Sequence, residues 1–426
     1  MVRQFVKRHL SKDDNLLGHG LIIFLGSVVV NILNYVYQLL MGRLLGPADF
    51  AVLGALFALI YIVTFSFGAV RTVVMKYSAD YFALGEFGKV KGLLVYGLRN
   101  LLFFGIVGFI GYFFIAPFIA SFLKIDDASL LLWTGLYLLV SLLTPIPTGV
   151  LNGMQRFHSL NVVSIVGTLF KVGFGALFVL LGYSVFGALL GLNIAAVFGL
   201  LISILCLYSL FKVKKERVSV HLFSFALPVF LSLTFMHLFV NVDVLLVKHL
   251  FSDIDAGNYA AASLMGKLVL FASGFLMTIM FPKVAFSKGA GKQTASLLRS
   301  SLFYTGLISF GVVLMYFFVP TFVSRMLFGA EFSISSLIGL FGLSLALFSL
   351  SNVLVTYNLA VHKISFVYGF IPLVILEIVA IYLFHSNLFE VVQVVFVTNV
   401  LMLVYLLWYS HKALGFRDPV GVVVGG

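Results

Sequence analysis

Long runs of apolar residues, separated by short polar connections, occupy almost the whole 426-residue chain. A helix that crosses the hydrocarbon core of a membrane needs roughly 20 such residues in succession. Only helices or closed barrels satisfy the backbone inside lipid, and these runs are too long for barrel strands. The pattern therefore predicts an all-α integral membrane protein with twelve spans, at residues 21–41, 51–70, 94–115, 129–150, 159–181, 185–209, 225–247, 258–281, 300–323, 334–357, 364–384 and 388–409.

Composition and charge support a membrane protein. The chain is 62% hydrophobic and 10% charged, whereas soluble domains carry about 25% charged residues. The net charge of +12 would suit nucleic-acid binding in a soluble protein, but here the basic residues lie in the connections. Alternate connections hold 21 and 4 of the Lys and Arg residues, so the positive-inside rule predicts a cell-membrane protein with both termini in the cytoplasm. Cys206 is the lone cysteine, which excludes a disulfide framework.

The second half of the chain repeats the first at a nearly constant offset. Three short segments recur in order at equivalent positions between spans, which is the signature of an internal duplication. Because each half holds six spans, the halves enter the membrane with the same polarity, as in alternating-access carriers built from parallel repeats. We predict two six-helix lobes, 1–210 and 223–426, joined by a cytoplasmic linker at 211–222. The matched pairs are 116–121 with 319–324, 152–156 with 358–362, and 48–51 with 257–260.

Two lysines lie in the middle of apolar spans, where a charge is costly. Lys171 is in span 5 and Lys267 in span 8. Facing a gap between the lobes, they would supply the counter-charge that a phosphate or diphosphate headgroup needs. Structural ion pairs, or snorkelling to an interface, are the alternative. Further candidate headgroup residues are Arg71 and Arg99 at the ends of spans 2 and 3, and a polar stripe of Asn31, Asn34 and Gln38 on span 1, which lines a cavity or joins helices by hydrogen bonds.

Two carboxylates also lie within spans of the second half. Asp243 is in span 7 and Glu377 in span 11. A carboxylate in a low-dielectric site can take up a proton or hold a sodium ion. One hypothesis is a cation-coupling site for H⁺ or Na⁺, with oxygen ligands added by Asn241, Thr398 and Asn399. The other is that Asp243 neutralises Lys267 and that Glu377 belongs to a salt bridge.

Sequence signals of enzymes are absent. Residues 289–294 (GAGKQT) resemble a phosphate-binding loop only superficially, because Phe286 replaces the first glycine and no Ser or Thr directly follows Lys292. We therefore expect no enzymatic activity, no ATP binding and no cofactor. A membrane-embedded glycosyltransferase or polymerase is disfavoured because no connection on the outer side is long. Transport would draw on an ion gradient, the membrane potential or the gradient of the substrate.

Several segments resemble the polysaccharide-flippase branch of the multidrug/oligosaccharidyl-lipid/polysaccharide (MOP) exporter superfamily, which has a fold like that of the MATE (multidrug and toxic compound extrusion) transporters. Each segment is similar to a loose family motif, and the ordered set extends over most of the chain. Ala51 departs from the usual glycine at its position. The segments are 42–50 (GRLLGPADF), 151–157 (LNGMQRF), 241–243 (NVD), 256–259 (AGNY), 281–283 (FPK) and 327–329 (LFG).

The resemblance implies a protein that flips a polyprenyl-diphosphate-linked oligosaccharide from the inner to the outer leaflet for surface polysaccharide biosynthesis. It also implies two six-helix lobes around a cationic cavity, and makes glycosyltransferases or a glycan polymerase candidate partners. No nucleic-acid partner is expected. The alternative is a small-molecule or multidrug antiporter of the same fold, coupled to H⁺ or Na⁺.

Overall fold

In the computed structural model, residues 16–218, 222–289, 294–361 and 365–415 are described, and no β-strand occurs among them. Sixteen α-helices occupy these residues. They are α1 Leu16–Ser66, α2 Gly68–Ala83, α3 Phe87–Phe122, α4 Ser129–Leu143, α5 Pro145–Gly153, α6 Phe157–Phe178, α7 Ser184–Leu205, α8 Tyr208–Phe211, α9 Leu222–Phe239, α10 Val242–Leu250, α11 Asp253–Gly289, α12 Ala295–Phe318, α13 Pro320–Phe328, α14 Ile338–Ala360, α15 Phe370–Leu383 and α16 Leu388–Gly415.

Eight helices among the described residues are long and apolar enough to cross a membrane, or nine if the bent pair Leu233–Phe239 and Val242–Leu250 is one span. This agrees with a multi-pass membrane protein. The predicted count of twelve spans and the two six-helix lobes stay predictions. The predicted eighth span lies on α11, which is not among the eight.

Two of the apolar helical stretches are too long for one crossing. Phe24–Ala83 has 60 residues, which at 1.5 Å per residue would extend about three times the thickness of the hydrocarbon core. The backbone leaves the helical conformation at Gly46 (φ 70°, ψ 174°) in this stretch, and at Gly182 (φ 90°, ψ 10°) in Phe157–Leu205. Glycine adopts positive φ without the steric cost of a Cβ. Each stretch therefore holds two of the predicted spans, one on either side of its break.

The helices cluster into two compact units. Unit 1 comprises residues 1–40, 67–115 and 132–226, and unit 2 comprises 41–66, 116–131 and 227–426. The units are defined by which residues lie close together in space and are discontinuous in sequence, whereas the predicted lobes are continuous segments of the chain. The lobe boundaries stay a prediction. Most of the 289–294 loop lies outside the described residues. Some basic residues that support the predicted topology also lie outside them, namely Arg3, Lys7, Arg8, Lys12, Lys292, Lys363 and Arg417.

Unit 1 has a core where α2, α3, α5 and α6 pack together. Val74, Leu94 and Val150 are fully buried there. The 151–157 motif contributes Gly153, whose Cα faces the backbone of α2 so closely that a Cβ would lie 2.6 Å from Ser78 Cβ. The glycine thus lets α5 approach α2.

Unit 2 holds the 42–50 motif against later parts of the chain. The Arg43 guanidinium donates from Nε to Leu327 O at 2.9 Å and also bonds Met326 O. These carbonyls belong to the last turn of α13, where carbonyl groups lack helical partners. Beside this contact, Phe50 packs edge-on against Phe328, with ring centroids 5.8 Å apart.

Glycines also close the contact between α1 and α11 in unit 2. A Cβ on Gly257 would collide with Pro47 O, and one on Gly54 would lie 2.9 Å from Ala260 Cβ. Pro47 follows the backbone break at Gly46. The contact therefore fixes where the second half of α1 starts, and it tolerates no side chain at Gly257.

We predict that Gly257→Ala destabilises the protein by about 1–3 kcal/mol, because the added methyl group must displace the backbone at Pro47. Thermal unfolding in detergent measures the loss. Gly274→Ala is the matched control on the same helix, since a Cβ there meets nothing within 4 Å. Equal unfolding midpoints for the two variants would contradict the packing argument.

Candidate functional site

A half-buried lysine in unit 1 is bound by residues of another helix. Lys171 lies on the apolar helix α6, and its ammonium group donates a hydrogen bond to Asn34 Oδ1 on α1. The same nitrogen lies 4.6 Å from the centroid of the Tyr37 ring. Asn34 and Tyr37 are three residues apart and thus share a helix face. The sequence prediction that Asn34 and Lys171 serve one site is therefore geometrically reasonable.

Tyr37 is held firmly in place. It is fully buried, and its hydroxyl donates to Ala188 O on α7 at 3.1 Å. A Cβ added to Gly175 would lie 2.6 Å from the Tyr37 ring, so the ring packs directly against this glycine. A ring face attracts a cation through its quadrupole. Tyr37 was not among the predicted site residues, although its position one turn beyond Asn34 could have indicated it.

No carboxylate of the described residues forms an ion pair with Lys171. Within the described ranges, the ion pairs at 4.0 Å or less are Lys89 with Glu86 and Lys248 with Asp253. An ammonium group carries three donors, and Lys171 contacts one amide oxygen and one ring. The amine therefore has hydrogen-bond donors that no described residue accepts.

The other predicted headgroup residues of unit 1 are not contacts of Lys171 in the described structure. Asn31 is exposed and Gln38 is buried, both on α1. Arg71 is half-buried on α2 and Arg99 is exposed on α3. Lys267 belongs to unit 2. Their membership of one headgroup site stays a prediction.

A second polar cluster lies inside unit 2. Asp243 on α10 is 3% exposed, and its Oδ2 accepts a hydrogen bond from the hydroxyl of Tyr259 on α11 at 2.9 Å. Two turns further along α11, Lys267 donates to Asn241 Oδ1 at 2.9 Å. Asp243 and Lys267 line one small cavity, which has room for about one water molecule, but they form no ion pair within 4.0 Å among the described residues.

Several acceptor atoms around this cluster have no hydrogen-bond partner in the described part of the chain. They are Asp243 Oδ1, both carboxylate oxygens of Glu377, and Asn399 Oδ1. Glu377 on α15 is fully buried and lies close enough to Asp243 for the two carboxyl groups to interact electrostatically. A buried carboxylate without a donor is costly, and it is relieved by a proton or a cation. The cation-coupling site and the salt bridge of Glu377 both stay predictions.

The remaining predicted coupling residues, Asn399, Thr398 and Asn241, differ in their position and in their hydrogen bonds. Asn399 lines the same cavity as Asp243, and its Nδ2 donates to Ser344 Oγ at 3.1 Å. Thr398 is buried and donates to Val395 O at 3.0 Å, which leaves its lone pairs available. Asn241 uses its oxygen on Lys267. The sequence prediction omitted Tyr259, although it lies in the 256–259 motif.

No group of three or more His, Cys, Asp or Glu side chains that could hold a metal ion occurs in the described residues. A sodium ion would therefore rely on two carboxylates, with amide and hydroxyl oxygens completing its shell. Oxygen donors of this kind suit hard cations. Asp243, Glu377, Asn399 and Thr398 supply the appropriate atoms.

The sequence model of the family described as polysaccharide biosynthesis protein matches residues 16–288. The chain belongs to this family. The match covers well over half of the chain and confirms the resemblance found in the sequence motifs. Comparison with curated proteins finds no significant match.

Solved structures show that the fold is that of the MOP superfamily transporters. An inward-facing multidrug resistance MATE family transporter of this superfamily is 13% identical, covers 91% of this chain and 96% of its own, and has a TM-score of 0.74. The lipid II flippase MurJ, in an inward closed conformation, is 15% identical over 92% of this chain and 87% of its own, with a TM-score of 0.73.

A third structure is of a MOP superfamily transporter from Pyrococcus furiosus, described as having a binding pocket of reversed polarity. It is 15% identical over 93% of this chain and 95% of its own, with a TM-score of 0.64. At these identities the likeness establishes the fold, and the MATE-like fold predicted from the sequence is confirmed to that extent.

We expect Tyr259→Phe to lower the stability of this family member by about 1–3 kcal/mol, because it removes the donor bound to the buried Asp243 carboxylate. Thermal unfolding in detergent measures the change. Tyr382→Phe, on the half-exposed face of α15, is the matched control. A Tyr259→Phe midpoint equal to that of the control would show that Asp243 does not depend on this hydroxyl.

Proposed function

We propose that this protein flips a polyprenyl-diphosphate-linked oligosaccharide from the inner to the outer leaflet of the cell membrane by alternating access. The observation that carries the proposal is Lys171, a half-buried lysine on an apolar helix with no carboxylate partner among the described residues. Membership of the polysaccharide biosynthesis family supports a carbohydrate cargo. Both termini are cytoplasmic in this proposal, and glycosyltransferases or a glycan polymerase are the proposed partners.

The chemistry of the cargo explains why Lys171 is proposed to bind its diphosphate headgroup. A diphosphate must leave water to cross the membrane, and its negative charge then needs charge-assisted hydrogen bonds. Lys171 supplies ammonium donors beyond the one bound to Asn34. The Tyr37 ring keeps the ammonium group in place without neutralising it. An anion can therefore bind without first breaking an ion pair.

The unit 2 cluster supplies the coupling in this proposal. Binding of H⁺ or Na⁺ at Asp243 and Glu377 removes negative charge next to Lys267, which lines the same cavity as Asp243. Loss of the cation restores that charge. The occupancy of the carboxyl groups thus changes how strongly Lys267 is held by Asn241 and Asp243, and a site with two electrostatic states can bias a conformational equilibrium.

We expect Lys171→Met to weaken binding of a fluorescent polyprenyl diphosphate to the purified protein by at least about tenfold, the size expected for one lost charged hydrogen bond. The variant should still fold, because methionine fills similar volume in an apolar helix. Lys283→Met, which removes an exposed lysine, should leave binding unchanged. The uncharged polyprenol should bind wild type and Lys171→Met equally.

The same variant should also flip the labelled lipid more slowly in proteoliposomes, measured by dithionite bleaching of the outer leaflet. If Lys171→Met binds and flips the diphosphate as well as the wild type does, the headgroup assignment is wrong.

A cation-coupled exporter of small molecules is the second candidate, favoured by the unpartnered carboxylate oxygens of Asp243 and Glu377. Two buried carboxyl groups with unpartnered oxygens would attract a cationic compound as well as a coupling ion. Binding of a cationic dye that is lost in Glu377→Gln, without any binding of polyprenyl diphosphate, would favour this candidate.

Transport by Asp243→Asn should lose its dependence on a sodium or proton gradient, because the amide can neither release a proton nor balance a cation. Flipping rates in proteoliposomes with imposed Na⁺ or pH gradients measure this dependence. Asp80→Asn, which changes an exposed carboxylate, is the control. Retention of the gradient response in Asp243→Asn would remove this residue from the coupling site.

A further inference from the structure

A basic segment follows directly after a membrane-spanning stretch in unit 1. The apolar stretch Phe157–Leu205 ends where α7 ends, and residues 206–217 come next. Four basic side chains in this segment are exposed, and Glu216 is the one acidic residue among them. The exposed basic residues are Lys212, Lys214, Lys215 and Arg217.

The backbone of this segment is fixed to the rest of unit 1. Lys91 Nζ donates to Phe211 O at 2.9 Å and to Val213 O at 2.8 Å. Further along, Glu216 N donates to Gly88 O at 3.0 Å. A Cβ on Gly92 would collide with Glu216 O, so the segment lies directly against α3. The basic side chains are therefore presented from an ordered surface.

The start of the segment is anchored from a second direction. Arg156 donates to Cys206 O at 2.8 Å and to Ser209 Oγ at 3.0 Å, and Leu207 and Leu210 are buried in the unit 1 core. Burial lowers the pKa of Arg156 from its usual value, but a guanidinium group stays charged at neutral pH. These contacts turn the opposite face of the segment outward.

Apolar side chains are exposed next to the basic ones. Leu205 is 67% exposed and Tyr208 is 62% exposed. The Lys212 ammonium group lies 5.4 Å from the centroid of the Tyr208 ring. Aromatic side chains beside lysines at the end of a span are typical of the boundary between hydrocarbon and headgroups.

The one acidic side chain does not neutralise this surface. The Glu216 carboxylate lies against Gly88, at the start of α3, and it interacts electrostatically with Lys89. Lys89 itself pairs with Glu86 at 2.7 Å. The charge of Lys212, Lys214 and Lys215 thus remains available to an external anion.

We propose that residues 205–217 form a binding surface for the headgroups of anionic phospholipids. The lysines bind the phosphate groups, while Leu205 and Tyr208 contact the first carbons of the acyl chains. A basic cluster adjoining a span attracts anionic lipid in this way. The exposed apolar side chains favour a lipid over a soluble anion. The proposal concerns the membrane surface and is independent of the cargo of the transporter.

Native mass spectrometry of the purified protein in detergent, titrated with phosphatidylglycerol or phosphatidylcholine, tests the proposal. The triple variant Lys212→Gln, Lys214→Gln, Lys215→Gln should bind phosphatidylglycerol at least about tenfold more weakly, on the scale that each juxtamembrane lysine contributes. Phosphatidylcholine binding should not change. Since the three side chains are exposed, the unfolding midpoint should match that of the wild type.

The charge-matched control is Lys283→Gln, Arg299→Gln, Arg325→Gln, which removes three exposed basic residues elsewhere. This control should retain phosphatidylglycerol affinity within about threefold of the wild type. Equal losses in the two triple variants would mean that net charge alone attracts the lipid, and would overturn the assignment. An unchanged phosphatidylglycerol affinity in the Lys212→Gln, Lys214→Gln, Lys215→Gln variant would overturn it as well.

Two further measurements separate this surface from other phosphate sites. Lys171→Met should bind phosphatidylglycerol like the wild type, so a failure of the headgroup site and a failure of this surface give different results. Inorganic phosphate at millimolar concentration should not displace the lipid. Displacement by inorganic phosphate would mean that the lysines form a small-anion site, and the lipid proposal would then be wrong.

Discussion

The hydrocarbon interior of a membrane contains no water to solvate a charge, so each charged side chain on a spanning helix must find its partners within the protein. In this protein that constraint is met by side chains from a second helix. Lys171 reaches from α6 to Asn34 on α1, and Tyr259 reaches from α11 to Asp243 on α10. Each of these contacts joins two helices and positions a charge at a defined place.

The constraint is met differently in the two units. In unit 1, the Lys171 amine has an amide oxygen and an aromatic ring as its partners. In unit 2, Asp243 and Glu377 have oxygen atoms that accept no hydrogen bond from the described residues. The anionic cargo proposed for unit 1 and the coupling ion proposed for unit 2 would be complementary uses of the same low-dielectric environment.

Backbone geometry sets where these side chains can lie. Gly46 and Gly182 interrupt stretches that would otherwise be too long for a membrane. Gly257 permits the contact with Pro47 that determines where the chain resumes as a helix. Arg43 then caps the last turn of α13. The family motifs around these residues are therefore explained by packing and by helix ends, whereas Lys171 and Glu377 are the residues for which packing gives no explanation.

The sequence by itself determined the membrane helices and singled out the charged residues within them, because hydropathy and span length are local properties of the chain. It also identified the family, from short motifs in a fixed order. Only the tertiary structure decided that Asn34 and Tyr37 hold Lys171, that Tyr259 holds Asp243, and that Glu377 accepts no hydrogen bond from the described residues. It alone decided that residues 41–66 and 116–131 pack with the second half of the chain. These outcomes depend on contacts between residues far apart in sequence, and the apolar pattern is the same whichever neighbouring helix a side chain meets.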